Sequence, residues 1–177
     1  MQQSICCISN PVPSIIFSNR EIPVADDDRI LRDNLIELVR GGSAHIDFKS
    51  VVKDFPPELY GKGSPYSAWQ LLEHLRIALR DILDFCVNPK YTAMEWPKDY
   101  WPESAAPPSA EAWAESVRAI EADIAETERL AGDPKSNLYA TIPWGDGQTL
   151  LREILLIGDH NSYHVGQLMM LKKQLTS

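Results

Sequence analysis

The sequence predicts an all-α fold. Four long runs carry apolar residues at the three-and-four spacing of a helix that buries one face. Each run is bounded by capping or helix-breaking residues, and almost nothing alternates with the two-residue period of a strand. Four substantial helices without strands make a helical bundle the natural architecture.

The elements follow in chain order. Asp26-Asp27-Asp28 precede the amphipathic run Ile30-Leu31, Leu35-Ile36, Leu38-Val39. The acidic residues favour a helix N-terminus, and Gly41-Gly42 supply a stop. Ser43 to Phe55 reads as an extra, short helical segment towards the N-terminal side, ended by Pro56-Pro57. Ser67 is placed to cap a long helix running to about Val87, which Asn88-Pro89 closes. Tyr91 to Pro108 is rich in Pro and Trp and has no period. Ser109 then caps an Ala- and Glu-rich helix that ends near Ala131, before Gly132-Asp133-Pro134. After Pro143-Trp144-Gly145-Asp146-Gly147, Thr149 opens a last helix that runs nearly to the C-terminus. The loops at 56–66, 88–108 and 132–148 exceed minimal bundle connections, and long loops in compact domains are more often functional or crossover segments than idle ones. Residues 1–25 read as a loosely structured tail, with Ile15-Ile16-Phe17 as an apolar docking element, and residues 26–177 as one helical domain.

Composition narrows the function classes. A length of 177 residues suits one well-cored domain. The formal charge of −8 and the scattered basic residues argue against a nucleic-acid partner, whose phosphates need concentrated Lys and Arg. No apolar run approaches the roughly 20 residues of a membrane span, so no membrane partner is expected. Cys6, Cys7 and Cys86 form neither a disulfide framework nor a metal-ligand spacing. Met1 to Asn19 lack the basic start of a secretory signal. These features fit a cytoplasmic protein with free thiols.

The chemistry-bearing residues are histidines, of which there are four. His160 and His164 stand four apart in the last helix, one turn above each other, so both imidazoles can point at one cation. His74 lies in the apolar row Leu71, Leu75, Ala78, Ile82, Phe85 of the third helix. The pair lies in the row of Leu150, Ile154, Ile157, Leu168 and Leu171. Alone, a histidine on an apolar face is ordinarily a core residue satisfied by one hydrogen bond. Three on inward faces of two helices lose solvation together without mutual reward, unless a cation takes their lone pairs. His74, His160 and His164 are therefore the expected ligands of a divalent transition metal, with zinc, nickel and iron(II) all chemically suitable. Three imidazoles leave coordination positions open, the pattern of catalytic sites. Such a metal acidifies bound water or holds a thiol as thiolate, so hydrolysis and thiol transfer on a small-molecule substrate are both open. Asn161 occupies the position where the zincin motif needs Glu, and no Glu-x-x-His tetrapeptide of the di-iron bundles occurs.

Leu71-Leu72-Glu73-His74-Leu75, followed by His160-Asn161-Ser162-Tyr163-His164-Val165-Gly166-Gln167, resembles the DinB-like superfamily over roughly Asp26 to Leu175. Trp69-Gln70 and the Trp96-Pro97, Tyr100-Trp101-Pro102 loop are similar to one branch of it. The resemblance implies an up-down-down-up four-helix bundle, often a homodimer, with a divalent metal on His74, His160 and His164. It further implies a metal-dependent hydrolase or a transferase using a low-molecular-weight thiol. Many members carry a basic residue after the last ligand histidine, where this chain has Val165. The rival class is a non-catalytic, metal-stabilised binding or dimerisation module, which apolar exposure on the fourth helix would favour; a third possibility is a bundle with no metal.

Other residues carry default expectations. His45 is expected as a surface or capping histidine, with a fourth ligand or a mouth-lining base as the alternatives. Trp96, Tyr100 and Trp101 are expected to plug the core, or else to roof the metal. Glu73, Asp81 and Asp159 are expected as solvated carboxylates unless they serve the site. Cys86 lies three turns beyond His74, about 18 Å by helical rise, and is too far to be a ligand. Gly166 is expected to permit close helix packing, with a binding partner's contact as the alternative.

Overall fold

The computed structural model describes residues 24–177. It is all-helical: α1 (Val24–Arg40), α2 (Phe48–Val52), α3 (Ala68–Val87), α4 (Ala110–Gly132) and α5 (Leu150–Thr176). Single 3-10 turns occur at Pro57–Leu59 and Lys98–Tyr100. The described residues hold no strand, only an isolated bridge between Thr141 and Thr149. The expected docking of Ile15-Ile16-Phe17, with Cys6 and Cys7, lies outside the described residues. The expected tail boundary at residue 25 falls inside α1, whose first turn includes Asp26 and Asp27.

Three helix starts are fixed by side-chain caps that occupy orphan backbone donors. Ser67 Oγ accepts from Gln70 N at 3.1 Å while Gln70 Oε1 accepts from Ser67 N at 3.0 Å, a capping box. Ser109 Oγ accepts from Ala112 N, and Thr149 Oγ1 from Arg152 N. The segment expected at Ser43–Phe55 is shorter. Its cap is Asp47, which accepts from Ser50 N at 2.8 Å, and Asp54 leaves the helical region with φ 52°. Beyond α1, Gly41 (φ 73°) and Gly42 (φ 91°) adopt the left-handed backbone that glycine accommodates without strain.

α3 packs against α4 and α5, and α1 packs against the same two helices. Leu72, Leu75, Leu79 and Leu83 of α3 are fully buried, with Ile120 of α4 and Ile154, Ile157 and Leu168 of α5. Each such side chain contributes about 1.5–3 kcal/mol relative to exposure. At one end Tyr60 stacks on Trp113 at 3.9 Å, with Phe55 5.2 Å from Trp113. The close approach expected at Gly166 occurs at Gly158 instead. A Cβ on Gly158 would meet Leu38 Cγ of α1 at 2.5 Å, whereas one on Gly166 would meet open space. Position 166 lies on the exposed side of α5, so its lack of a side chain serves no packing there.

Candidate functional site

Burial of the apolar rows on α3 and α5 turns three imidazoles towards one another. His74 is 3 % exposed and His164 6 %, while His160 is half-buried. One ring nitrogen from each lies within 4.8 Å of the other two, a spread that one ion could bridge. His160 Nε2 stands 3.2 Å from His74 Nε2. Two nitrogens on one tetrahedral ion with bonds of 2.0–2.1 Å would be about 3.4 Å apart. His45, by contrast, is exposed and reaches Ser162 Oγ at 3.0 Å, outside this group.

The outer nitrogens set the tautomers. The Tyr100 carbonyl can only accept, so His74 Nδ1 carries the hydrogen it donates there at 2.9 Å. Gln167 Oε1 accepts from His164 Nδ1 at 2.8 Å. Both rings therefore direct an Nε2 lone pair inward. His160 Nδ1 is buried with no hydrogen-bond partner among the described residues, as are both amide atoms of the neighbouring Asn161. Burial, reinforced by the neighbouring imidazoles, pushes His160 and His164 down to about 4. Burial also lowers His74, against the Tyr100 hydrogen bond. At neutral pH the three rings are neutral and their lone pairs are free of protons.

The aperiodic loop between α3 and α4 closes over this group. Trp101 stacks face to face on His74 at 3.9 Å and 2°, and Tyr66 stacks on Trp101 at 4.1 Å. Trp101 packs against the core as expected of a plug, but it does so through a site histidine. Trp96 is 66 % exposed and approaches His74 edge-on at 6.3 Å, so the plug expectation fails for it. Tyr100 is tied at both ends: its carbonyl takes the His74 hydrogen, and its hydroxyl donates to Asp81 at 2.5 Å.

His74 and His160 border a cavity of about 590 Å³. Its walls include Ile82, Phe85, Tyr91, Trp96, Tyr100 and Trp144, with Asp81, Asp146, Arg152 and Glu153 as its charged groups. Trp144 Nε1 donates to the Phe85 carbonyl at the end of α3, at 2.7 Å. A Cβ on Gly145 would lie 2.7 Å from Phe85 Cζ, so glycine lets this loop sit against the α3 terminus.

Two carboxylates expected to be solvated are engaged. Glu73 is 8 % exposed, with Arg76 donating to both of its oxygens and Ser116 Oγ of α4 donating at 2.5 Å. Asp81 accepts from the hydroxyls of Tyr91 and Tyr100. Burial, then Asp81, pushes Tyr91 up to about 12 and raises Tyr100 likewise, so both phenols remain protonated donors. Asp159 is exposed as expected. Burial, with Glu153 adding to it, pushes Cys86 up to about 12, which leaves an inert thiol.

Sequence reasoning missed Gln167 as a partner of His164, and Arg152, Glu153 and Trp144 as cavity residues. The signal for Gln167 was its i,i+3 spacing from His164. Glu153 interrupts the apolar row of α5 two turns before His160, which marks it as inward-facing.

No family model, curated protein or solved structure matches the chain.

Proposed function

We propose that His74, His160 and His164 hold one divalent transition metal, and that the adjoining cavity is the substrate site of a metal-dependent enzyme. The reaction classes that suit it are hydrolysis and thiol-dependent transfer. One observation carries this reading: three neutral imidazoles, two of them pinned through Nδ1, bring one ring nitrogen each within 4.8 Å of the others, and two of them, His74 and His160, line a cavity of about 590 Å³. In this reading α1, α3, α4 and α5 form a DinB-like four-helix bundle, supported by the packing of α1 and α3 on both α4 and α5.

The donor set suits zinc, nickel or iron(II). When bound, such an ion supplies a Lewis acid that lowers the pKa of water or a thiol. The chain supplies the rest. Tyr100 and Gln167 fix ring orientation, Trp101 excludes water from one face of His74, and the cavity leaves His74 and His160 approachable from the other side. The rival binding module gains no support from α4, since none of the exposed large apolar side chains among the described residues lies on it.

Elemental analysis of protein purified without an affinity tag tests the reading. About one zinc, nickel or iron per chain is expected, falling to near zero in His160→Ala. Stoichiometric metal that survives the substitution would remove His160 from the site. A folded wild-type protein that takes up none of the three metals would refute the metal reading.

A further inference from the structure

The cavity beside the histidines is polarised along its length. His74 and His160 border it, as do Asp81 and Glu153. Asp81 follows His74 by seven residues on α3, and Glu153 precedes His160 by seven on α5. Each carboxylate thus lies about 10 Å along its helix from the corresponding histidine. The C-terminal end of α3 adjoins the loop that leads into α5, where Trp144 donates to the Phe85 carbonyl. Both carboxylates are therefore displaced towards the same end.

They are not equivalent. Glu153, 3 % exposed, is paired with Arg152. Asp81 is held by two phenol hydroxyls, and no Lys or Arg among the described residues pairs with it. Neutral donors orient a carboxylate but leave its charge uncompensated. With Asp146, the cavity sets three carboxylates against the single guanidinium of Arg152. Aromatic faces attract cations through their quadrupoles, and Trp96 and Trp144 line the same space. An anion entering here would meet an excess of like charge.

We propose that the cavity binds an amine with an aromatic or aliphatic body, its ammonium at Asp81, its body against the aromatic walls and its other end towards His74 and His160. A charge-assisted hydrogen bond to Asp81 supplies the selectivity, and the apolar walls supply area. An ion on the histidines would add positive charge at the opposite end and favour the same orientation. The inference rests on reading this cavity as the substrate site, though not on the metal.

Calorimetric titration of the full-length protein at neutral pH tests it with three probes sharing one body: phenethylamine, phenethyl alcohol and 3-phenylpropionate. In metal-stripped protein the amine is expected to bind at least about tenfold more tightly than the alcohol, with the carboxylate weakest. Asp81→Asn should bring the amine to the level of the alcohol. Because that change also touches the anchoring of Tyr91 and Tyr100, Asp81→Glu serves as the second variant: it restores the charge and should restore a preference for the amine over the alcohol. Equal binding of amine and alcohol, tighter binding of the carboxylate, or no amine preference in Asp81→Glu would each overturn the proposal. Repeating the amine and alcohol titrations after zinc loading separates the two readings: amine preference without metal uptake leaves this proposal standing, and metal uptake without amine preference leaves only the metal reading.

Discussion

Hydrogen bonds at the outer ring nitrogens decide what the imidazoles offer inward. His164 depends on a single neutral acceptor, Gln167 Oε1 at 2.8 Å. Partners of this kind typically account for 10–100-fold in metal affinity. Gln167→Leu is therefore expected to weaken zinc binding by about 10–100-fold in a competition assay against a chromogenic chelator. Unchanged affinity would show that packing alone orients the ring. The three histidines were legible because helical periodicity places each on an apolar row, which a sequence displays. Tyr100 was expected there as a plug or a roof, but its attachments were not legible, since they join a residue of an aperiodic loop to positions two turns apart on α3. The Glu73–Arg76 pair is local and readable as i,i+3, but the bond from Ser116 that completes it crosses to α4 and exists only once the helices pack.

At the level of elements, the end of α4 is held by a residue from another helix. Arg32 of α1 is 7 % exposed and donates to the carbonyls of Ala131, Asp133 and Ser136 at 2.8–2.9 Å, with Asp28 as its counter-ion at 2.7 Å. It satisfies carbonyls that the helix end and following turn would otherwise leave unpaired. Arg32→Met preserves much of the volume and removes the donors. It is expected to cost about 2–4 kcal/mol in urea unfolding, and a loss under about 1 kcal/mol would mean that water replaces the guanidinium freely. The starts of α3, α4 and α5 were legible because Ser67, Ser109 and Thr149 act on residues three positions ahead. The start of α2 was not. Ser43 and Asp47 are both competent caps, and burial of Phe48 and Val51 against the body selects the later one.

For the whole molecule, the buried imidazoles link stability to protons. An unfolded histidine titrates near 6.5, whereas His160 and His164 are held at about 4 in the fold. Between those values the unfolded chain binds more protons, so stability falls as pH drops from about 6.5 towards about 4. Most of this window lies above the usual carboxylate range. Metal-free protein is thus expected to melt progressively lower between pH 7 and pH 4.5, with a shallower slope for His164→Gln. Matching slopes would assign the dependence to other groups. The all-helical class and the three long loops were legible from capping residues and breakers. The cavity was not, because its walls come from two helices and two aperiodic loops. The tie at Tyr100 carries a further consequence for redesign. Its carbonyl accepts from the His74 ring and its hydroxyl donates to Asp81, so the histidine end and the Asp81 end of the cavity share one loop residue. Under the functions proposed above, a substitution at Asp81 that released the Tyr100 hydroxyl would also loosen the carbonyl that orients His74 two turns away, and specificity would have to be selected together with reactivity.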